Sequence, residues 1–376
     1  RQRMSTSQAK DERFMRRALE LAQQAWGQTH PNPMVGAAIV EAGVVVAEGW
    51  HVTAGQDHAE VAAIKALGRK PAEGASIYVT LEPCSTCGRT GACTNALIEA
   101  GFARVVIGAK DPNPEHAGRG LEVLREAGIE VVEGVLAEEC ADLNLIFNHW
   151  ITQKLPFIAG KMAITLDGKF AAASGHSKWV TGESARADVM GWRRYFPAIA
   201  VSANTVLKDN PSLSSRIGDE VWCPQRFVFD RTLKTFEADT MPQIYTDAYA
   251  PQTVVLCADA ASDYLRTRAK DLNIMLWQLP EAKGHLDWQA FRKRCAEAKI
   301  YGIYVEVGPT LATQVIEGAL ADYLFVYQAP KLLSDASAPG IGSLRNSQSM
   351  EQVFALRNLR QASFDGDRLI RGFLSK

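Results

Sequence analysis

The stretch His58-Ala59-Glu60, followed by Pro83-Cys84-Ser85-Thr86-Cys87 and then by Cys93, carries most of the information in this chain. An imidazole and nearby thiols are ligands that zinc accepts in a tetrahedral site, and a catalytic site leaves one corner for water. In zinc deaminases, a glutamate two residues after the histidine moves protons while the metal activates the attacking water. The order and spacing therefore predict a zinc-dependent deaminase site.

A closed structural zinc site is the main alternative, because one histidine and three cysteines would supply four protein ligands. That alternative gives no reason for Glu60 to follow the histidine ligand by two residues. Disulfides are a weaker alternative, because cysteine is sparse elsewhere in a long chain and no secretory signal is apparent. We therefore expect a protein of the reducing cytoplasm.

Length and composition limit the possible classes of protein. A chain of 376 residues exceeds the usual size of one domain, so we expect two. A hydrophobic content of 47% is that of an ordinary globular protein. The formal net charge of −1 lacks the basic surplus typical of nucleic-acid binding, and no apolar run is long enough to cross a bilayer. We expect neither nucleic acid nor membrane as a partner.

Strand patterns alternate with helical patterns along the whole chain, which predicts an α/β fold. A helical segment over 136–152 leads to Lys154-Leu155-Pro156, after which a fresh strand pattern begins. The sequence therefore predicts one domain over residues 1–152 and a second α/β domain over residues 153–376. His58 and Glu60 fall in the first turn of a helix, and Cys84 falls where the next strand ends.

Longer sequence motifs in both halves of the chain resemble those of one family. The first half, to about residue 150, resembles the cytidine-deaminase superfamily. Several phrases are similar to the bifunctional deaminase–reductase of bacterial riboflavin biosynthesis: His30-Pro31-Asn32-Pro33-Met34-Val35-Gly36, Tyr78-Val79-Thr80-Leu81-Glu82-Pro83-Cys84-Ser85, Asp111-Pro112-Asn113-Pro114, Leu166-Asp167-Gly168-Lys169, Asp209-Asn210-Pro211-Ser212-Leu213 and Glu306-Val307-Gly308-Pro309-Thr310. The resemblance spans nearly the whole chain.

This resemblance implies an N-terminal cytidine-deaminase-like α/β/α sandwich and a C-terminal α/β domain with a dihydrofolate-reductase-like fold. It implies a phosphorylated pyrimidine as substrate, 2,5-diamino-6-ribosylamino-4(3H)-pyrimidinone 5′-phosphate. The first domain would remove its 2-amino group with one Zn²⁺. The second would reduce the ribosyl chain to ribityl with NADPH. The resemblance also suggests a homo-oligomer.

The deaminase residues follow partly from chemistry and partly from the family. His58 is the nitrogen ligand, Glu60 the general acid–base and Cys84 a thiolate ligand. The general superfamily spacing would add Cys87 as the third protein ligand, whereas the riboflavin family's longer spacing adds Cys93, which we prefer. The remaining polar candidates for contact with the base or the phosphate are Asn32 and His51.

The reductase residues rest mainly on the family register. No G-x-G-x-x-G motif follows a strand, which argues against a Rossmann dinucleotide site. A glycine-led turn that opens a helix could instead bind a cofactor phosphate through its N–H groups. The register implies these contacts with NADPH: Ala163, Trp179, Thr205, Asp209, Gly308, Pro309, Thr310 and Leu311. For the substrate it implies Ser177, Arg193, Leu213, Arg216 and Glu306.

Two polar residues of the second domain, Lys161 and Asp209, are candidates for a role near the sugar carbonyl. Guanidinium groups bind oxyanions through paired donors, so Arg193 and Arg216 are suited to the substrate phosphate. A nucleic-acid deaminase of the tRNA type, joined to an unrelated domain, is the alternative function. It fits the zinc motif, but neither the near-neutral charge nor the second half of the chain favours it.

Overall fold

A computed structural model of the chain describes residues 6–85, 92–175, 180–342 and 347–375. The chain divides into two compact units, Arg1–Lys154 and Leu155–Lys376. Across the described residues, no helix combines the length and the apolar character that crossing a membrane requires.

The first unit is built on a five-stranded sheet. Its strands are β1 (Gly36–Glu41), β2 (Val44–Trp50), β3 (Ser76–Leu81), β4 (Arg104–Ala109) and β5 (Glu130–Val132). Its helices are α1 (Thr6–Gln23), α2 (Ala59–Leu67), α3 (Cys93–Ala100), α4 (Arg119–Glu126), α5 (Ala137–Leu143) and α6 (Leu145–Gln153). The strand order is β2-β1-β3-β4-β5, with β3, β4 and β5 parallel and β1 antiparallel to both of its neighbours.

Apolar residues cover both faces of this sheet. On one face, Phe14 and Met15 of α1 pack with Tyr78 of β3 and Cys140 of α5. On the other face, the apolar side chains of α2, α3 and α4 pack against alternate residues of the same strands. Because side chains alternate across a strand, each face receives its own layer of helices. The predicted α/β/α sandwich is confirmed.

Gly36 allows α1 to lie directly against the start of β1. A Cβ atom at this position would lie 1.9 Å from the carbonyl oxygen of Ala18, so no other residue fits without moving the helix. The neighbouring Thr80 hydroxyl accepts the N–H of Gly36 at 3.1 Å. Strand β1 and the turn before it are therefore fixed from two sides.

The continuous helical segment predicted over 136–152 is wrong in one respect, because it is two helices that meet at Asn144. The backbone of Asn144 has φ −120° and ψ 44°, outside the helical region. Its side chain instead accepts the N–H of Met34 at 2.7 Å and donates to the carbonyl oxygen of Met34 at 2.8 Å. This buried amide ties the helix junction to the turn that carries Asn32.

The second unit is built on a nine-stranded sheet. Its strands are β6 (Phe157–Thr165), β7 (Ala198–Ser202), β10 (Gln225–Phe229), β11 (Thr253–Ala258), β12 (Met275–Leu279), β15 (Gly302–Glu306), β16 (Tyr323–Ala329), β17 (Ala355–Phe364) and β18 (Asp367–Ser375). Two short hairpins lie outside it, β8 (Ser215–Ile217) with β9 (Glu220–Trp222), and β13 (Glu281–Ala282) with β14 (His285–Leu286). Its helices are α7 (Glu183–Tyr195), α8 (Ala203–Asp209), α9 (Asp263–Asp271), α10 (Trp288–Glu297) and α11 (Pro309–Glu317).

The strand order of this sheet is β12-β11-β10-β7-β15-β6-β16-β18-β17. The seven strands from β12 to β16 are parallel to their neighbours, and β18 and β17 add an antiparallel hairpin. One face packs against Phe291 of α10 and Leu311 and Val315 of α11. The other face carries an aromatic layer, in which Phe196 lies 5.1 Å from Tyr304 between ring centroids. The predicted C-terminal α/β domain is confirmed.

Candidate functional sites

A cluster of three ligand-type side chains lies where three elements of the first unit meet. His58 is the residue before α2, Cys84 follows β3, and Cys93 is the first residue of α3. The Nδ1 atom of His58 lies 3.1 Å from the Sγ atom of Cys93 and 3.6 Å from that of Cys84. All three ligand atoms lie within 4.8 Å of one another.

This arrangement fits a tetrahedral zinc site. Zinc–sulfur and zinc–nitrogen bonds of the usual lengths place neighbouring ligand atoms roughly 3.6 Å apart. The donors are one imidazole and two thiols, which are the soft and borderline ligands that zinc prefers. Three protein ligands leave the fourth position for water. Among the described residues the cluster has no fourth protein ligand, and Cys87 lies outside those residues.

The surroundings of Cys84 favour its thiolate. Hydrogen bonds from the Cys93 side chain and then from His58 lower the pKa of Cys84 below that of a free thiol, although burial opposes this. The backbone N–H of Cys93, at the start of α3, also donates to this sulfur at 3.3 Å. A hydrogen bond with Cys84 and the burial of the side chain raise the pKa of Cys93. Cys84 is therefore in surroundings that favour the thiolate form, which is the form that binds a metal cation.

Glu60 lies in the first turn of α2, directly beside this cluster. The residue is 3% exposed, and its Oε2 atom has no hydrogen-bond partner among the described residues. Burial raises the pKa of Glu60 to about 7, with the nearby Cys84 charge acting in the same direction. An unpartnered buried carboxylate oxygen is costly and calls for a ligand or a proton. The arrangement is suited to a group that exchanges protons with a bound molecule.

Asn32 and His51 are hydrogen-bonded to each other near His58. The Nδ1 atom of His51 lies 2.9 Å from the carbonyl oxygen of Asp57, which can only accept, so Nδ1 carries the proton. The Nε2 atom of His51 therefore accepts from the Nδ2 amide of Asn32 at 3.2 Å. The rings of His51 and His58 are 5.7 Å apart between centroids. Asn32 and His51 therefore both lie on the His58 side of the cluster of candidate zinc ligands.

The second unit contains a cavity of about 570 Å³ at the C-terminal ends of its parallel strands. Nine of the residues predicted for the reductase line it: Lys161, Ala163, Thr205, Asp209, Glu306, Gly308, Pro309, Thr310 and Leu311. Ligands of parallel α/β sheets bind at this edge as a rule. Ser177 and Trp179 lie outside the described residues.

The start of α11 forms one wall of this cavity. Gly308 precedes the helix, and Pro309, at its first position, has no N–H to leave unsatisfied. The first helical bond runs from the N–H of Ala312 to the carbonyl of Gly308 at 2.8 Å. The N–H groups of Thr310 and Leu311 are therefore not needed within the helix and can meet an anion.

A charged triad lies where β6 and β15 pair, and two of its members, Lys161 and Glu306, line the floor of the cavity. Lys161 is the register partner of Glu306, and Arg193 of α7 reaches Glu306 from the aromatic face. Burial opposes ionisation of Glu306, but the charges of Arg193 and Lys161 lower its pKa to about 2. Burial lowers the pKa of Lys161, against the pull of Glu306. The triad combines one fixed carboxylate with a lysine that releases its proton more readily than an exposed one.

Leu213 lies in a strained turn behind the triad. It is buried and has φ 58°, a left-handed conformation that costs a non-glycine residue energy. The carbonyl before it, on Ser212, accepts from Arg226 at 3.0 Å, and the carbonyl of Ser214 accepts from Arg193 at 2.8 Å. The buried guanidinium of Arg226 and the nearly buried one of Arg193 therefore hold the turn in place. Neither Leu213 nor Arg193 lines the 570 Å³ cavity within the described part of the chain.

Arg216 stands apart from the other predicted substrate residues. It is exposed on β8, in the short hairpin that follows the Leu213 turn, and it does not line the described cavity. Its place three residues after Leu213 keeps it on the same segment of chain. A long flexible side chain here can still reach an anion in solution.

Several cavity residues were not predicted from the sequence, among them Arg186, Asn204, Lys208, Arg231, His285 and Trp288. Asn204 and Arg231 follow the C-terminal ends of β7 and β10. The rule that ligands bind at the carboxyl ends of parallel strands could have found these two. His285 and Trp288 come from a short hairpin and the start of α10, and no motif marks them.

Each of the two units matches a known protein family. Residues 8–109 match the cytidine and deoxycytidylate deaminase zinc-binding region, and residues 156–365 match the RibD C-terminal domain. The riboflavin biosynthesis protein RibD of Escherichia coli K12 is 41% identical over 354 residues, covering 90% of this chain and 94% of that protein. The protein of the same name from Actinobacillus pleuropneumoniae is 39% identical and covers 96% and 94%.

Solved structures show the same similarity over the full chain. The diaminohydroxyphosphoribosylaminopyrimidine deaminase/5-amino-6-(5-phosphoribosylamino)uracil reductase of Thermotoga maritima has a TM-score of 0.79 at 33% identity. The alignment covers 98% of this chain and 100% of that one. RibD of Acinetobacter baumannii, in its form 1, has a TM-score of 0.78 at 32% identity with the same coverage.

Proposed function

Because this chain belongs to the RibD family of bifunctional deaminase–reductases of riboflavin biosynthesis, we propose a specific role for each site residue and a substrate for each reaction. The first unit removes the 2-amino group of 2,5-diamino-6-ribosylamino-4(3H)-pyrimidinone 5′-phosphate. The second unit reduces the ribosyl chain of the product to ribityl with NADPH, giving 5-amino-6-ribitylaminouracil 5′-phosphate. Both substrates are phosphorylated small molecules.

In the deaminase, His58, Cys84 and Cys93 hold the zinc ion. The geometry of these three ligand atoms and the lowered pKa of Cys84 support this role. Bound zinc supplies a Lewis acid that makes water a nucleophile near neutral pH. Cys87 is then a spare thiol rather than a ligand.

Glu60 moves the protons of the deamination. The reaction takes a proton from water and delivers one to the departing amine, and one carboxylate within reach of both can do each task in turn. The raised pKa of Glu60, about 7, lets it hold or release a proton at physiological pH. The unpartnered Oε2 atom of Glu60 beside the ligand cluster is the observation that carries this proposal.

Asn32 and His51 orient the pyrimidine. The hydrogen bond from Asn32 Nδ2 to His51 fixes the amide, so that its oxygen can accept an N–H from the base. The buried Asn144, through its two bonds to Met34, supports the turn that presents Asn32. These bonds support the proposal that Asn32 is oriented before the substrate arrives.

In the reductase, the 570 Å³ cavity takes NADPH, which supplies a hydride to C1′ of the ribosyl chain. The first turn of α11, from Gly308 to Leu311, binds cofactor phosphate through N–H groups. Ala163, Thr205 and Asp209 line this cavity and form further contacts with the cofactor. Trp179 is assigned to the cofactor and Ser177 to the substrate from the family register alone, because both lie outside the described residues.

Lys161 and Glu306 face the sugar in this scheme, and Arg193 holds Glu306 from behind through two hydrogen bonds. Reduction of the ribosyl ring to the open ribityl chain would add a hydride at C1′ and break the C1′–O4′ bond, so O4′ would need a proton, and the lowered pKa of buried Lys161 supports this residue as the donor. Glu306 stays ionised and keeps Lys161 in place. The Leu213 turn contacts the substrate, and Arg216 binds its phosphate.

Replacement of Glu60 by glutamine tests the deaminase assignment. The purified Glu60→Gln protein, incubated with the diaminopyrimidine ribotide, should release ammonia at least 10³-fold more slowly, on the order of a lost general acid–base. Zinc content by metal analysis and reduction of the deaminated ribotide by NADPH should stay within twofold of the parent protein. Ammonia release at the parent rate would remove Glu60 from the mechanism.

We further propose that the protein is a cytoplasmic homo-oligomer. Light scattering on the eluted peak of a sizing column would give its mass in solution. A mass equal to one chain of 41.1 kDa at micromolar concentration would contradict the oligomer.

A further inference from the structure

Glu82 is a buried carboxylate that the reaction scheme does not use. It is 6% exposed and follows β3 directly, two residues before the zinc ligand Cys84. Its side chain accepts three backbone N–H groups and no side-chain donor among the described residues. Oε2 accepts from Asp111 and from Gly118, each at 3.0 Å, and Oε1 accepts from Gly120 at 3.1 Å.

Two of the three donors belong to the connection between β4 and α4, and the third belongs to α4 itself. Asp111 and Gly118 are at the two ends of this segment, the β4–α4 loop (residues 110–118), and Gly120 is in the first turn of α4. One carboxylate therefore closes the loop at both of its ends. Charge-assisted bonds to backbone N–H groups are roughly twice as strong as neutral ones, so this is a firm attachment.

The attachment also brings the loop to the metal ligand. A Cβ atom on Gly120 would lie 2.2 Å from the carbonyl oxygen of Pro83, so α4 begins in direct contact with the residue before Cys84. Strands β3 and β4 are parallel neighbours, and their carboxyl ends lie at the same edge of the sheet. Cys84 follows β3 and the loop follows β4, so the loop begins at the same edge of the sheet as the metal ligand.

The loop itself has a defined shape and carries polar groups. The Asp111 carboxylate accepts the N–H of Asn113 at 2.9 Å, and the Asn113 side chain accepts the N–H of Glu115 at 3.1 Å. These local bonds shape the loop, but they do not attach it to the rest of the unit. Glu82 supplies that attachment.

We propose that Glu82 is a positioning residue for the deaminase, which holds the β4–α4 loop as one wall of the pyrimidine ribotide site. This inference rests on the proposed deaminase function. Glu82 acts on substrate affinity through the loop and does not take part in zinc ligation or proton transfer.

Glutamine at position 82 has almost the same shape as glutamate, but it carries an N–H donor where an acceptor is needed. Its amide has one acceptor oxygen, and its NH₂ group would face at least one of the backbone N–H groups that Glu82 now receives. A buried N–H without an acceptor is costly, so one end of the loop should detach. Aspartate keeps the charge but is one methylene shorter and cannot reach both ends of the loop.

The test compares Glu82→Gln and Glu82→Asp with Glu115→Gln, the same change at an exposed position of the same loop. We expect KM for the diaminopyrimidine ribotide to rise about 10-fold in Glu82→Gln, with kcat within threefold and a full complement of zinc. Hydrogen exchange should quicken at the amides of Asp111, Gly118 and Gly120. Glu82→Asp should show an intermediate rise in KM, and Glu115→Gln should match the parent protein. NADPH-dependent reduction should be unchanged in all three.

An unchanged KM in a folded Glu82→Gln protein would overturn the inference. Loss of zinc with an unchanged KM would also overturn it, since Glu82 would then only support Cys84. If Glu82→Gln does not fold, the same criteria applied to Glu82→Asp decide. A parent protein that never deaminates the ribotide would refute the proposed function instead, and the exchange rates would still report whether Glu82 holds the loop.

Discussion

Arg193 and Glu306 form a two-point ion pair, with 2.8 Å between Nε and Oε1 and 3.0 Å between Nη2 and Oε2. The pair is nearly buried, because the two side chains are 11% and 16% exposed. A third bond, from Nη1 to the carbonyl of Ser214, ties the same guanidinium to the Leu213 turn. Arg193 therefore links the carboxylate on the cavity floor to the turn behind it.

Arg193→Lys should keep the positive charge but lose the hydrogen bonds to Glu306 or the one to the carbonyl of Ser214. An ammonium group cannot reproduce the planar fork, so either Glu306 or Ser214 loses its partner. We expect KM of the reductase for the deaminated ribotide to rise about 10-fold, with the dissociation constant for NADPH within twofold. Steady-state kinetics and a fluorescence titration with NADPH would measure the two quantities. An equal loss of both affinities would show that Arg193 serves the whole cavity rather than the substrate side.

The third zinc ligand can be identified by a pair of serine variants. Cys93→Ser should lose most of its bound zinc, because serine is a poor zinc ligand and Cys93 lies within 3.1 Å of His58. Cys87→Ser should keep one zinc per chain. Metal analysis after dialysis against a weak chelator would compare the two. The reverse result would transfer the ligand role to Cys87.

Arg216 should contribute to the affinity of the reductase for its phosphorylated substrate and not to its affinity for NADPH. Arg216→Ala should weaken binding of the phosphorylated substrate about 10-fold and leave NADPH binding unchanged, because the guanidinium is proposed to bind the substrate phosphate. Arg357→Ala, an exposed arginine on β17, is the matched control and should change neither affinity. Similar losses for substrate and NADPH would exclude the phosphate role.

The stability of the first unit should depend on pH through Asp11. Its carboxylate receives both Nη1 and Nη2 of Arg104 at 2.8 Å and the hydroxyl of Tyr78 at 2.7 Å. The Arg104 hydrogen bonds lower the pKa of Asp11, while burial opposes them. A carboxylate with a depressed folded-state pKa stabilises the fold above its unfolded pKa, near 3.9, and this contribution is lost as pH falls through the folded value.

Asp11→Asn should therefore cost the first unit about 2–3 kcal/mol at pH 7, since Arg104 loses its buried carboxylate partner and keeps only the exposed carboxylate of Glu130, 3.1 Å from its Nε atom. The difference from the parent protein should shrink as pH falls below about 4. Hydrogen exchange of first-unit peptides in increasing urea, at several pH values, would measure it. A difference that stays constant from pH 7 down to pH 2.5 would exclude the carboxylate as its source.

The sequence predicted the layered α/β fold because hydrophobic periodicity marks elements such as β3 and α3. His58 and Cys84 are candidate zinc ligands from their local motifs, whereas the preference for Cys93 over Cys87 rests on the spacing of the riboflavin family; the structure brings His58, Cys84 and Cys93 together. The break at Asn144 could not be predicted, because it depends on a partner 110 residues away at Met34. Local propensity favours one helix there, and a tertiary hydrogen bond overrides it.

The reductase cavity was predicted less completely for a related reason. Residues on the C-terminal ends of recognised strands, such as Glu306 and Gly308, follow from the strand pattern and the family register. His285 and Arg186 reach the cavity from elements whose position depends on the tertiary fold. Strand β17 escaped prediction because it is an edge strand with mostly exposed side chains, and its sequence does not alternate between apolar and polar residues as that of a half-buried strand does.

The position of β6 in the nine-stranded sheet has a consequence for synthesis on the ribosome. This strand opens the second unit, yet its two neighbours, β15 and β16, are made more than 130 residues later. Residues 157–165 must therefore wait, with their apolar side chains unpaired, until residues 302–329 have emerged. Contacts so distant in sequence slow folding, whereas the first unit can complete its own sheet during that interval. Chaperone dependence should therefore be concentrated in the second half of the chain.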